Sequence, residues 1–68
     1  MKRKVLIARL RELAAAERVE FSFRRHGGRH DLYRFGQQPV VIPRHREVDE
    51  RTARAIIRDC EREGGERQ

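Results

Sequence analysis

Glycines at 27, 28 and 36, with prolines at 39 and 43, cut the middle of this chain into three short pieces. That punctuation constrains the fold more than any other feature, because glycine and proline are the strongest local interrupters of regular structure. Val19, Phe21 and Phe23 alternate with Glu20, Ser22 and Arg24. The alternation predicts a half-buried strand over residues 19–25. His26-Gly27-Gly28-Arg29 predicts a turn, since adjacent glycines permit positive φ. Residues 30–35 predict a second strand carrying Leu32, Tyr33 and Phe35. Gly36-Gln37-Gln38-Pro39 turns again, and Val40-Val41-Ile42 forms a short third strand stopped by Pro43. Connections this short join neighbouring strands only in antiparallel fashion. The three pieces therefore form a meander.

Helical periodicity flanks the meander on both sides. Leu6, Leu10, Leu13 and Ala14 fall on one stripe, with Ile7 at its edge, which predicts a helix over residues 2–16. Ala14-Ala15-Ala16 adds propensity. Lys2, Arg3 and Lys4 sit at the positive end of that helix dipole, where cations are mildly unfavourable; the cluster suits a polyanion. Asp49 is the expected N-cap of a second helix with Glu50 in its first turn. Ala53, Ile56, Ile57 and Cys60 then recur at helical spacing, and Gly64-Gly65 are expected to end the helix near Glu63, with the last three residues frayed. Each helix has one apolar stripe, so both must cover the same face of the sheet and leave the other face in water. The expectation is an α+β fold of order αβββα: one three-stranded antiparallel sheet with two helices on one face. This is the layout of double-stranded-RNA-binding domains.

A chain of 68 residues forms a single domain, residues 1–68. At that length it buries only roughly 60% of its unfolded surface. No room remains for a cofactor domain, and any active site is a shallow surface suited to a polymer. Lysine plus arginine total 17 against 11 acids, for a net charge of +6. Only Lys2 and Lys4 are lysines, so fifteen of those cations are arginine. Such a balance attracts polyanions over long range, although a solubilising surface would carry the same charge. Cys60 is the only cysteine, which excludes a disulfide framework and a cysteine metal site within one chain; its place in the helical stripe makes it a small core residue. No apolar run approaches the roughly 18 residues of a membrane span. The polar N-terminus does not read as a signal peptide, and the expected location is cytoplasmic.

Three histidines are the candidates for proton chemistry. His30 follows the paired glycines at the start of a strand, among Arg25, Arg29 and Arg34. A histidine titrates near neutrality and serves as base or acid. Arginines hold phosphates in bidentate geometry and stabilise charge on a pentacoordinate phosphorus. At Gly28 a phosphate approaches the backbone unhindered. Together these residues suit cleavage of an RNA backbone without a metal or cofactor. Asp31 adjoins His30 but points the opposite way in a regular strand. Parity leaves the face of His30 open: with Leu32 inward His30 faces the helices, and with Tyr33 and Phe35 inward it faces water. His45 reads as a ring hydrogen-bonded in the connection to the second helix, and His26 as a solvated turn residue. The histidine spacings do not form a zinc site. Ser22, the only serine, implies no nucleophilic triad, and Gly27-Gly28 lacks the context of a phosphate loop.

Three segments carry a resemblance. They are the opening Met1-Lys2-Arg3-Lys4-Val5-Leu6-Ile7; Gly28-Arg29-His30 with Tyr33-Arg34 after it; and Ile42-Pro43-Arg44-His45-Arg46-Glu47-Val48 followed by Thr52-Ala53-Arg54. In this order and spacing the chain resembles the HicA family, small mRNA interferase toxins of bacterial toxin–antitoxin modules, from Lys2 to about Asp59. The resemblance implies a double-stranded-RNA-binding-domain-like fold and metal-independent cleavage of mRNA that arrests translation and growth. It implies a HicB-like antitoxin that masks the catalytic histidine in a hetero-oligomeric complex. The family's catalytic position falls on His30. Arg29 departs from the family, whose members usually carry serine, threonine or asparagine there. The expected RNA contacts are Arg25, Gly28, Arg29, Arg34 and Arg44. The alternative reading is a non-catalytic RNA-binding module, which fold and charge would serve equally well.

Overall fold

A computed structural model describes residues 1–65, with the side chains of 62–65 outside the description. The elements run α1 (Arg3–Glu17), β1 (Phe21–Gly27), β2 (His30–Phe35), β3 (Gln38–Pro43) and α2 (Glu50–Gly65). The order is αβββα, and the sheet is an antiparallel meander with β2 in the middle.

Both hairpins turn in two residues. Gly27 pairs with His30 across Gly28-Arg29, and Phe35 pairs with Gln38 across Gly36-Gln37. Each loop opens on a glycine at positive φ, 51° at Gly28 and 62° at Gly36. A positive φ at the first loop position matches the twist of the flanking strands. Loops this tight lengthen the strands beyond expectation: His26 and Gly27 belong to β1 rather than to the turn, and β3 takes in Gln38, Pro39 and Pro43. Val19 and Glu20 lie before β1, because α1 ends late. Arg18 adopts the left-handed conformation as the C-cap, with its N–H directed to the Ala14 and Ala15 carbonyls. Val19 N–H also donates to the Ala14 carbonyl, at 2.9 Å.

Asp49 caps α2 as expected, its Oδ2 accepting from the Arg51 and Thr52 amides at 3.1 and 3.3 Å. The helix continues through Gly64 and Gly65. Glycine costs about 1 kcal/mol relative to alanine in a helix, so those two residues weaken the last described turn. The expected fraying of the last three residues lies outside the described chain.

The core is continuous. Leu6, Leu10 and Ala14 of α1, Ala53 and Cys60 of α2, and Tyr33, Phe35, Val40 and Ile42 of the sheet are buried together with Val48. Ile7, Leu13, Ile56 and Ile57 pack at its edge. Both helix stripes therefore cover one sheet face. The two helix starts are tied to each other: Lys2 bridges Glu47, the Arg3 amide donates to the Arg46 carbonyl, and the Val48 amide donates to the Met1 carbonyl. Among the described residues no helix is long and apolar enough to cross a membrane.

Candidate active site

The parity of β2 follows from its burial. Asp31, Tyr33 and Phe35 are buried on the helix side, while His30 and Arg34 are exposed. His30 is therefore on the open face. Register extends this face across the sheet. Ser22, Arg34 and Pro39 form one row, Arg25, Leu32 and Val41 the next, and Gly27, His30 and Pro43 the last. The sequence left parity undecided because both faces of the sheet carry apolar residues. Leu32 is half-buried and Val41 is 54% exposed on the open side.

Three of the candidate RNA contacts lie on the face or the hairpin tip that carries His30. Arg25 and Arg34 share its face, and Gly28 lies at the tip beside it. A Cβ built on Gly28 would meet nothing within 4 Å, so the tip backbone is open to a ligand. Arg29 is exposed at the same tip, and its carbonyl accepts from the Arg44 amide at 3.0 Å. Arg44 is engaged with the protein. Its Nη1 donates to the Gly28 carbonyl at 3.1 Å, and its Nε lies 3.6 Å from Asp31 Oδ1. It braces the turn from the helix side.

On that side stands a constellation missed in the sequence. Asp31 accepts from Arg3 Nη2 at 2.7 Å on Oδ2 and meets His26 Nδ1 at 2.9 Å on Oδ1. Arg3 Nε also donates to the Pro43 carbonyl at 2.9 Å. The hydrogen bond with His26 holds the Asp31 carboxyl below the usual carboxylate range; burial opposes this, and the charges of His26, Arg44 and Arg3 reinforce it. His26 is thus not a freely solvated turn residue. A bulge brings it here. Phe23 pairs with Tyr33 and Arg25 with Leu32, so Arg24 is an extra residue. The extra residue reverses the alternation beyond it and carries His26 to the same face as Phe21 and Phe23. Phe21 stacks on Tyr33 at 5.0 Å, Phe23 meets Tyr33 edge-on at 5.4 Å, and the His26 ring lies 4.9 Å from Phe23. A polar Asp31 at an inward position of β2 was the available signal, since a buried carboxylate requires partners.

His45 is exposed and makes no hydrogen bond among the described residues, contrary to its expected structural role. Among the same residues no group of His, Cys, Asp and Glu is arranged to hold a metal ion. Lys2, Arg3, Lys4 and Arg46 line a cleft of about 420 Å³ at the start of α1. The N-terminal cations thus face a cleft that includes Arg3, the residue that also grips Asp31. Comparison with protein-family models, with curated proteins and with solved structures found no match to this chain.

Proposed function

We propose that this chain is a metal-independent endoribonuclease of the HicA type, a toxin that cleaves mRNA in the cytoplasm and so stops translation and growth. His30 serves it as a general acid or base. The observation that carries the reading is the company His30 keeps. An exposed imidazole stands at the glycine tip of a hairpin, on a sheet face shared with Arg25 and Arg34. A phosphate bound at the open Gly28 backbone would have proton chemistry beside it and positive charge on the same sheet face. The αβββα order, the net charge of +6 and the cationic cleft at α1 suit a polyanionic substrate. Arg29 extends the contact at the tip, while Arg44 braces the turn beneath it. The partially apolar open face, with Leu32 and Val41, suits a HicB-like antitoxin that covers His30 in a toxin–antitoxin complex.

The test is cleavage of a defined RNA by the purified protein. The expected products carry 2′,3′-cyclic phosphate ends, chelators leave the rate unchanged, and 2′-deoxy sugars at the scissile positions block the reaction. His30→Ala lowers the rate by about 10²–10⁴-fold with an unchanged melting curve. An alanine variant that cuts as fast as the parent removes His30 from the mechanism. A parent that binds RNA with a steep salt dependence and never cuts it is a binding module instead.

A further inference from the structure

Cleavage at a ribose–phosphate linkage needs two proton transfers, one from the 2′-hydroxyl and one to the departing 5′-oxygen. A single imidazole leaves one of them unassigned. The hairpin tip carries a second ring whose surroundings are more constrained than those of His30. Asp31, 5% exposed, meets His26 Nδ1 at 2.9 Å while Arg3 occupies its other oxygen. An ionised carboxylate only accepts hydrogen bonds, so Nδ1 carries the hydrogen, and the neutral ring keeps its lone pair on Nε2. That nitrogen has no partner among the described residues, and the side chain is 67% exposed. Phe23 packs against the ring from within its own strand. The carboxylate favours the Nδ1–H tautomer, and the two contacts orient the ring. A carboxylate behind Nδ1 also stabilises the imidazolium that forms when Nε2 takes a proton.

His26 and His30 leave the same hairpin on opposite faces. His26 pairs with the inward Asp31, and His30 pairs with Gly27 one row nearer the tip. In-line displacement at phosphorus puts the attacking and departing oxygens on opposite sides of the phosphorus, so the base and the acid are needed on opposite sides too. A linkage that both rings serve must therefore lie across the hairpin tip, over the open Gly28 backbone.

We propose, resting on the nuclease reading, that His26 is the general base of the reaction, His30 its general acid, and Asp31 the residue that positions His26. His26 Nε2 takes the proton of the 2′-hydroxyl. The 2′-oxygen forms a bond to phosphorus, and the bond from phosphorus to the 5′-oxygen breaks. Protonated His30 gives its proton to that oxygen. The products are a 2′,3′-cyclic phosphate and a 5′-hydroxyl. One proton is taken and one released, and exchange with water restores both rings.

Two substrates separate the roles: an RNA oligonucleotide, and the same oligonucleotide with sulfur in place of the bridging 5′-oxygen. Sulfur departs without a proton, so it substitutes for an acid and not for a base. His26→Ala and His26→Gln are expected to lose about 10²–10⁴-fold on both substrates. His30→Ala loses a similar factor on the oxygen substrate and recovers on the sulfur one. Asp31→Asn lowers kcat with little change in KM, and ¹⁵N spectra of the His26 ring show the Nδ1–H tautomer in the parent and its loss in the variant. His26 variants that cut both substrates at the parent rate, beside an inactive His30→Ala, overturn the role of His26 and leave the nuclease standing. Recovery of His26→Ala on the sulfur substrate makes His26 the acid and overturns its assignment as base. A parent inert toward both substrates overturns the nuclease reading, and this proposal with it.

Discussion

Arg3 and Asp31 lie 28 residues apart in sequence and 2.7 Å apart in space. The same guanidinium holds the Pro43 carbonyl through Nε. One side chain at the first turn of α1 therefore fastens the helix to the middle strand and to the end of β3. A planar fork makes both contacts at once, which lysine cannot do. Arg3→Gln and Asp31→Asn are each expected to lower the melting temperature. The double variant falls less than the sum of the two, because the residues share one network. Asp31 binds its proton more weakly in the fold than in the unfolded chain. Its stabilisation is full above the ordinary value of 3.8 and is lost as the pH falls below it. The stability gap between the parent and Asp31→Asn is measured by urea unfolding at a series of pH values from about 5 downward. It narrows as the pH falls through that range. A gap that stays constant as the pH falls through that range would contradict the assignment.

Arg18 and Gly28 both have positive φ, at 60° and 51°, and they call for opposite substitutions. The left-handed conformation costs a residue with a Cβ roughly 1–2 kcal/mol. Part of that is offset by the smaller freedom of such a residue in the unfolded chain. Arg18→Gly is expected to stabilise the protein by about 0.5–1 kcal/mol. Gly28→Ala is expected to destabilise it by about 1 kcal/mol. A Cβ there meets no atom, so the whole cost lies in the backbone, and Gly28→Asn should cost less than Gly28→Ala. Denaturant midpoints of the three variants check the order.

Phe35 is fully buried where β2 faces both helices, edge-on to Phe21 at 6.3 Å. Truncation of a buried phenylalanine costs about 3–5 kcal/mol, while native domains hold only about 5–15 kcal/mol in total. A chain this short stands near the lower end of that range. Phe35→Ala is expected to unfold most of the population at 37 °C. Phe35→Leu keeps most of the volume and should leave a cooperative melt at lower temperature. Circular dichroism of both variants distinguishes the outcomes.

The elements were legible where one period dominates a segment. Leu6, Leu10 and Ala14, then Ala53 and Cys60, mark the buried stripes of the helices because only one face of each is apolar. Gly28 and Gly36 mark the hairpins because the loops require positive φ. The site was legible only in part. His30 and its arginines stand out as a local motif, but the face they occupy depended on β2 parity, which Leu32 blurred by being apolar on the wet side. His26 was lost for a different reason. Alternation read from Phe21 and Phe23 puts Arg25 inward and His26 outward, and nothing in the residue types announces that Arg24 is supernumerary. The pairing of two strands fixes a bulge, and that information is not local.

The bulge supplies the sharpest test of this account. Arg24-Arg25 occupies the space that a regular strand gives to one residue between Phe23 and His26. Deleting Arg24 lets one arginine pair with Leu32 and leaves Phe23 opposite Tyr33 and His26 opposite Asp31. The deletion is therefore expected to preserve the fold and the contact between His26 and Asp31, with a straighter β1 and less local twist. A deletion in a regular strand has the opposite effect, since a one-residue slip turns every following side chain to the other face. Removing Ser22 instead would displace the aromatic row formed by Phe21, Tyr33 and Phe23. The Ser22 deletion is expected to melt well below the parent, and the Arg24 deletion close to it. In the Arg24 deletion the His26 ring should still show nuclear Overhauser contacts to Asp31 and Phe23. Loss of those contacts in a folded Arg24 deletion would mean that β1 re-pairs with β2 once the extra residue is gone, and that the register beyond Phe23 is not the one described.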